Sequence, residues 1–269
     1  MQRGLPVRAV ASYNVAVVTH PMIPGSLRGV MKLLVLSLST PEEDLALDEA
    51  LLEQAETGAG PSEVLRLWEL NRPCVVVGRS SRVAVEVRPD ACAEAGVPIL
   101  RRCSGGAAVV AGPGCLMYSV VLAYRDRAPL RMLDQAHCFV LGIMHQALAR
   151  LAPDVRIQGT SDLTLGDRKF SGNSLRCKRD HFLYHGTILY DFPLDLIGRC
   201  LATPPHQPAY RQQREHARFV TNFPAGQDQL HRCISEAWGT DGQLESWPEQ
   251  QVAALVSSRY DQASWNLRL

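Results

Sequence analysis

Residues 161–177 read SDLTLGDRKFSGNSLRC. Apolar and polar side chains alternate about a Gly-Asp pair, the pattern of a β-hairpin whose turn lies near Gly166–Asp167. Across that turn Thr164 and Lys169 lie nearly opposite, with Asp162 one side chain further on. An aspartate within reach of a lysine in a cleft can hold a metal-phosphate while the ammonium meets a carboxylate or phosphate oxygen. The plainer alternative is a surface hairpin with solvated charges.

Working outward, KLLVLSL (32–38) reads as a strand. TPEEDLALDEALLEQAE follows as an amphipathic helix, with Thr40 as N-cap, Pro41 in the first turn and acids near the positive end. EVLRLWEL and CVVVGR are strands, RPDACAEAG a short helix closing at Gly96, and PILRR and LMYSVVLAY further strands. LRMLDQAHCFVLGIMHQALARL reads as a long, largely buried helix. After the hairpin come the strand LYHGTILYDF, the short helix PLDLIGRCLA and a Pro/Gln/Arg-rich loop, TPPHQPAYRQQREHAR. Helices near 226–238 and 247–257 close the chain. Strands come in adjacent runs with helices between and after them, so the class is α+β: a mixed, mostly antiparallel sheet packed with helices.

The chain has 269 residues, 46% of them hydrophobic, and a formal net charge of +1. That is ample for a core, and a near-neutral balance gives no case for nucleic acid or an anionic membrane as partner. No apolar run approaches the ~20 residues of a spanning helix. The eight cysteines include no CxxC pair, which points to reduced thiols in a cytoplasmic compartment, most of them small buried apolar residues. Only three of the 28 basic residues are lysines, Lys32, Lys169 and Lys178. Arginine cannot replace a compact ammonium, so a lysine surviving inside a motif invites a chemical reason. The first 41 residues carry Arg3, Arg8 and Arg28 but no acid. We read residues 1–30 as a flexible or non-native extension, with a transit peptide as the alternative, and residues 31–269 as one domain.

Two further segments place polar residues where strands end. RRCSGGAAVV (101–110) sets Arg101 and Arg102 beside Ser104, Gly105, Gly106 and Ala107. Such glycines let backbone approach a ligand and leave amide hydrogens for an anion, although neither GxxxxGK[ST] nor GxGxxG is present. His185 and Gly186 interrupt the third segment, where a mid-strand glycine marks a bulge or a close backbone approach.

In this order and spacing the segments resemble the lipoate–protein ligase A and octanoyltransferase family, which shares a catalytic domain with biotin protein ligases. The family's RRxSGGGAV is similar to residues 101–109, NDL…GRKxSGxAxR to SDLTLGDRKFSGNSLR, HGT(L/I)L to HGTIL at 185–189, and RVTN to RFVTN at 218–222. The beginning, EDLALDEALLE, and the end, SWNLRL, also look like the family, so the resemblance covers roughly residues 31–269. It implies a biotin/lipoate ligase-like catalytic domain that attaches lipoate or octanoate to the acceptor lysine of a lipoyl domain. In the ligases a fatty-acid carboxylate attacks the α-phosphate of ATP, supplied with Mg2+, and the acceptor lysine then attacks the acyl-adenylate.

The resemblance assigns the essential lysine to Lys169. Asp162 would position the metal ion or the incoming amine. Arg102, Ser104, Gly105, Gly106 and Ala107 would cradle the adenylate, with Ser171 and Gly172 beside them. Arg176, His185 and Gly186 would line the pocket near the activated carboxyl, with large apolar residues holding the aliphatic chain. The implied partners are lipoyl domains of 2-oxoacid dehydrogenase E2 subunits or glycine cleavage H protein. Acyl carrier protein or a separate accessory subunit are further partners found in the family.

The chain also departs from the pattern. The third glycine is Ala107, a nucleotide-holding histidine and asparagine are replaced by Ala111 and Cys115, and the residue before the motif aspartate is Ser161. These changes resemble the ATP-independent transferase branch, which passes the acyl group through a cysteine thioester. Cys177 is the cysteine nearest the motif, though it matches no known nucleophile position. A non-catalytic binder of lipoyl domains or small acids is a further alternative. Biotin is disfavoured because a GRGRxGR loop is missing.

Overall fold

A computed structural model describes residues 31–125, 127–204 and 207–268, so the reading of residues 1–30 lies outside the described residues. Among those described, the strands form two sheets. The larger has the order β1 (Lys32–Val35), β2 (Val64–Trp68), β6 (Cys115–Ala123), β10 (His181–Leu189), β9 (Arg168–Cys177), β8 (Asp162–Leu165), β7 (Val155–Gln158). It is antiparallel except for the β1–β2 pair. The smaller has the order β4 (Ile99–Arg101), β3 (Cys74–Val77), β5 (Val109–Ala111), with β3–β4 parallel. The class is α+β, as expected. The division into two sheets and the short strands β5 and β7 are new.

The large sheet separates two apolar layers, and the period-2 alternation of β6 shows how. Leu116, Tyr118, Val120 and Leu122 face a core shared with helices α2 (Leu133–Ala149) and α3 (Gln227–Trp238). Cys115, Met117 and Val121 face a core shared with α1 (Pro41–Thr57), the small sheet and α4 (Glu249–Leu255). Helix α1 opens with the expected cap: Thr40 Oγ1 accepts from the Glu43 amide while the Glu43 carboxylate accepts from the Thr40 amide. Helix α2 is buried on one face only, through Ala136, Val140, Leu141, Met144, Ala147 and Leu148. The loop after residue 201 contains two short helical turns, Ala209–Arg211 and His216–Phe219.

Strand β10 runs unbroken through His185 and Gly186, against the interruption expected there. Glycine is required by close approach instead: a Cβ at 186 would lie 1.8 Å from Asn173 Oδ1 and 2.8 Å from the Tyr118 ring. All eight cysteines are free; six are buried, and Cys138 and Cys177 are exposed.

Candidate active site

The hairpin turns at Gly166, whose φ of +57° suits glycine, and Thr164 pairs with Lys169 as its sequence requires. A register shift between Leu163 and Thr164 then sets Asp162 opposite Gly172. That bulge leaves Lys169 Nζ 2.7 Å from Asp162 Oδ1. The other carboxylate oxygen accepts a hydrogen bond of 2.7 Å from Tyr210 Oη. A side chain at Gly172 would collide with the ammonium, its Cβ 2.7 Å from Nζ. Asp162 is 8% exposed, whereas the Lys169 side chain keeps 27% exposure and can meet a ligand.

The arginines of the 101–108 turn point inward. Arg101 donates to the carbonyls of Gly78, Ser81, Trp265, Asn266 and Arg268, tying the carboxy-terminal segment to the small sheet. Arg102 donates to Ser104 Oγ and to the carbonyls of Val76, Gly105 and Ala107, and burial pushes its guanidinium down to about 10. It remains charged at neutral pH, but most of its donors shape the turn and do not reach outward. Ser81 Oγ donates to the Gly106 carbonyl, and Glu86 accepts the Ala108 amide at 2.6 Å. The amide hydrogens of Gly105, Gly106 and Ala107 find no acceptor among the described residues. A Cβ at Gly78 would lie 1.9 Å from the Gly106 carbonyl oxygen, so backbone crosses backbone here.

His185 joins this turn to the large sheet. Its Nε2 lies 2.6 Å from Ser104 Oγ and its Nδ1 3.0 Å from Asp48 Oδ2. Asp48, on α1, also accepts from Ser119 Oγ at 2.7 Å and from Arg66 Nη1 at 2.9 Å. Burial raises its carboxyl, but His185, Arg66 and Ser119 outweigh that and hold it below the usual carboxylate range. Neighbouring Asp44 also pairs with Arg66, yet burial pushes its carboxyl up to about 6.

These groups surround a cavity of about 420 Å³, within the ~300–1,000 Å³ usual for small-molecule sites. Arg102, Gly106, Ala107, Asp162, Lys169, Gly172, His185 and Gly186 line it, so the structure gathers three separated sequence segments. Leu45, Val76, Val109, Met117 and Pro208 supply apolar wall. Ser104 is 1% exposed and sits behind the lining. Ser171 is likewise buried and accepts from Asn173 Nδ2. Arg176 lies outside the lining, with its Nε buried and without a hydrogen-bond partner.

Cys177, the possible nucleophile of the transferase reading, is not among the residues lining the cavity. It is exposed at the far end of β9, three residues beyond Ser174 of the lining. No cysteine is among the residues lining the cavity.

Sequence reasoning missed Asp48, Tyr118, Asn173 and Tyr210. Asn173 Oδ1 accepts from Tyr118 Oη, and its Nδ2 donates to the Ser161 carbonyl at 2.8 Å. Asp44 and Asp48 carried one usable signal, since they stand four residues apart among the apolar positions of α1. Among the described residues no group of three or more His, Cys, Asp or Glu could hold a metal ion, and no helix is long and apolar enough to cross a membrane.

A family model for the lipoyl protein ligase A/B catalytic domain matches residues 40–227. A protein of Aeropyrum pernix bearing the name lipoate-protein ligase A is 35% identical over 77% of this chain and 74% of its own length. An octanoyltransferase LipM of Symbiobacterium thermophilum is 25% identical over 84% of this chain and 94% of its own. The chain spans about half the length of two bacterial lipoate-protein ligases that it matches, 47% and 58%. Among solved structures, a bipartite lipoate protein ligase studied with its E2 lipoyl domain, from Thermoplasma acidophilum, superposes with a TM-score of 0.72 at 21% identity, covering 88% of this chain and 95% of that one. A lipoate-protein ligase A bound with ATP superposes with a TM-score of 0.70 at 23% identity, covering 88% and 98%. At these identities the two likenesses establish the fold, that of the lipoate protein ligases.

Proposed function

Because the chain belongs to the lipoyl protein ligase A/B catalytic-domain family, a family of enzymes, we propose that it attaches lipoate or octanoate to the acceptor lysine of a lipoyl domain through an acyl-adenylate made from ATP. The Lys169–Asp162 pair in the lining of a cavity with an apolar wall is the observation that carries this reading. Residues 31–269 would serve as one catalytic domain, acting in the cytoplasm.

In the first step a carboxylate oxygen of the fatty acid attacks the α-phosphorus of ATP and pyrophosphate leaves. In the second the lysine amine attacks the acyl carbon, AMP leaves and the amine sheds a proton. The first step gathers negative charge on the phosphoryl oxygens and the departing pyrophosphate, the second on the carbonyl oxygen of the acyl carbon and the departing phosphate. The Lys169 ammonium, fixed by Asp162, would offset that charge without reorganising, an effect worth about 10²–10³ in rate. The unpaired amides of Gly105–Ala107 would face phosphate oxygens, and Leu45, Val76, Val109 and Met117 the aliphatic chain. Among the described residues Asp162 is the single carboxylate of the lining, so Mg2+ would enter as the Mg–ATP substrate, with phosphate and water completing its shell. A lipoyl domain as acceptor is supported by the Thermoplasma ligase studied with its E2 lipoyl domain.

A second reading, ATP-independent transfer from an acyl carrier, is favoured by the 94% coverage of the octanoyltransferase. It needs a thiol at the acyl carbon, and the lining supplies none. Release of pyrophosphate from Mg–ATP, dependent on lipoate or octanoate and lost in Lys169→Ala, is expected of the ligase. Lipoate-independent release, or full activity in Lys169→Ala, would overturn the assignment.

A further inference from the structure

From the hydrogen-bond geometry we infer that Asp48 is a positioning residue of the acyl-transfer site, acting through His185 on Ser104 and so on the turn that forms one wall of the cavity. This rests on the function proposed above and gives a role to a residue that the sequence reading assigned none.

Asp48 lies on α1, is 1% exposed and is not among the residues lining the cavity. Both its oxygens are already engaged: Oδ1 accepts from Arg66, and Oδ2 accepts from Ser119 and faces His185 Nδ1. An ionised carboxylate only accepts, so His185 must carry its proton on Nδ1. In the neutral ring Nε2 is then an acceptor, and the 2.6 Å contact makes Ser104 the donor. The Ser104 oxygen in turn receives Arg102 Nε–H at 3.0 Å, and Arg102 gathers the Gly105 and Ala107 carbonyls. One chain of hydrogen bonds therefore fixes the turn of the small sheet against β10 of the large one. The charged and titratable groups around His185 are Asp48 on α1, Arg66 on β2, and Arg102 from the turn, with Ser119 on β6 and Ser104 completing its surroundings.

Asp48→Asn discriminates well, because an amide has one acceptor oxygen. With that oxygen kept by Arg66, the NH2 group faces His185 Nδ1 and drives the proton to Nε2, which abolishes the Ser104–His185 bond in its native sense. Asp44→Asn is the control: it removes a carboxylate from the same arginine but does not touch His185. We expect ¹⁵N-edited imidazole spectra to show His185 as the Nδ1–H tautomer in the native protein and in Asp44→Asn, and as Nε2–H in Asp48→Asn. Acyl transfer to a lipoyl domain should fall about tenfold to a hundredfold in Asp48→Asn, as for other groups that orient a functional histidine, with an altered pH–rate profile. An Nε2–H tautomer in the native protein overturns the inference without any variant. So does Asp48→Asn with native transfer and profile, or an equal loss in Asp44→Asn. A native protein that transfers nothing refutes the function and, with it, the catalytic role of Asp48, while the spectra judge the tautomer separately.

Discussion

Gly186→Ala tests whether the cavity wall is as tightly set as its distances say. The new methyl would lie 1.8 Å from Asn173 Oδ1, 2.7 Å from its Cγ and 2.8 Å from Tyr118 Cε1. Tyr118 is fully buried and cannot retreat. Asn173 must therefore move, and it is held by Tyr118 Oη, the Ser161 carbonyl and Ser171 Oγ. Overpacking costs about 1–3 kcal/mol, and each net hydrogen bond lost about 0.5–1.5 kcal/mol. With one or two bonds lost, the sum is about 1.5–6 kcal/mol. At roughly 2–4 °C per kcal/mol for a domain of this size, the melting temperature should fall by about 3–24 °C in a calorimetric or circular-dichroism melt. Truncation of Asn173 to Ser in the same background should recover part of the loss by opening space for the methyl. A Gly186→Ala melt within 1 °C of the native protein would refute the packing argument.

Cys177→Ser should leave acyl transfer within about twofold of native, since the thiol lies outside the cavity; a large loss in an intact-mass transfer assay would restore it as a nucleophile. His216, with Nε2 3.2 Å from the Ala202 carbonyl, has its pKa lowered by burial above all. A histidine that resists charging in the folded state contributes stability that is complete above ~6.5 and is lost as pH falls toward its folded value. An NMR titration should therefore place His216 below ~6.5, and His216→Gln should flatten the decline in unfolding free energy between pH 7 and 5. A titration midpoint at or above ~6.5 would contradict the burial argument.

The hairpin was legible because its alternation and its Gly-Asp turn are local, and local alternation fixes which residues pair. The Thr164–Lys169 pairing follows from the turn alone; the bulge that completes the Lys169–Asp162 contact does not. Strands β4 and β5 have three residues each, too few to show a period, so the small sheet could not be separated from the large one. Arg101 and Arg102 look from sequence like charges offered to a ligand. Their burial against backbone carbonyls depends on residues far along the chain, Trp265 and Asn266 for Arg101. The His185–Asp48 contact likewise spans 137 positions. What the sequence displayed was the inventory of chemical groups; which of them are spent on holding the turn is a property of the packed fold.

The most direct test is the intact mass of a purified lipoyl domain after incubation with this protein, in one tube with lipoate or octanoate and Mg–ATP and in another with octanoyl-acyl carrier protein and no nucleotide. Acyl mass added in the first tube alone is the predicted result, and its disappearance in Lys169→Ala would tie the reaction to the Lys169–Asp162 pair. Mass added in the second tube alone would contradict the adenylate route and make the protein a transferase.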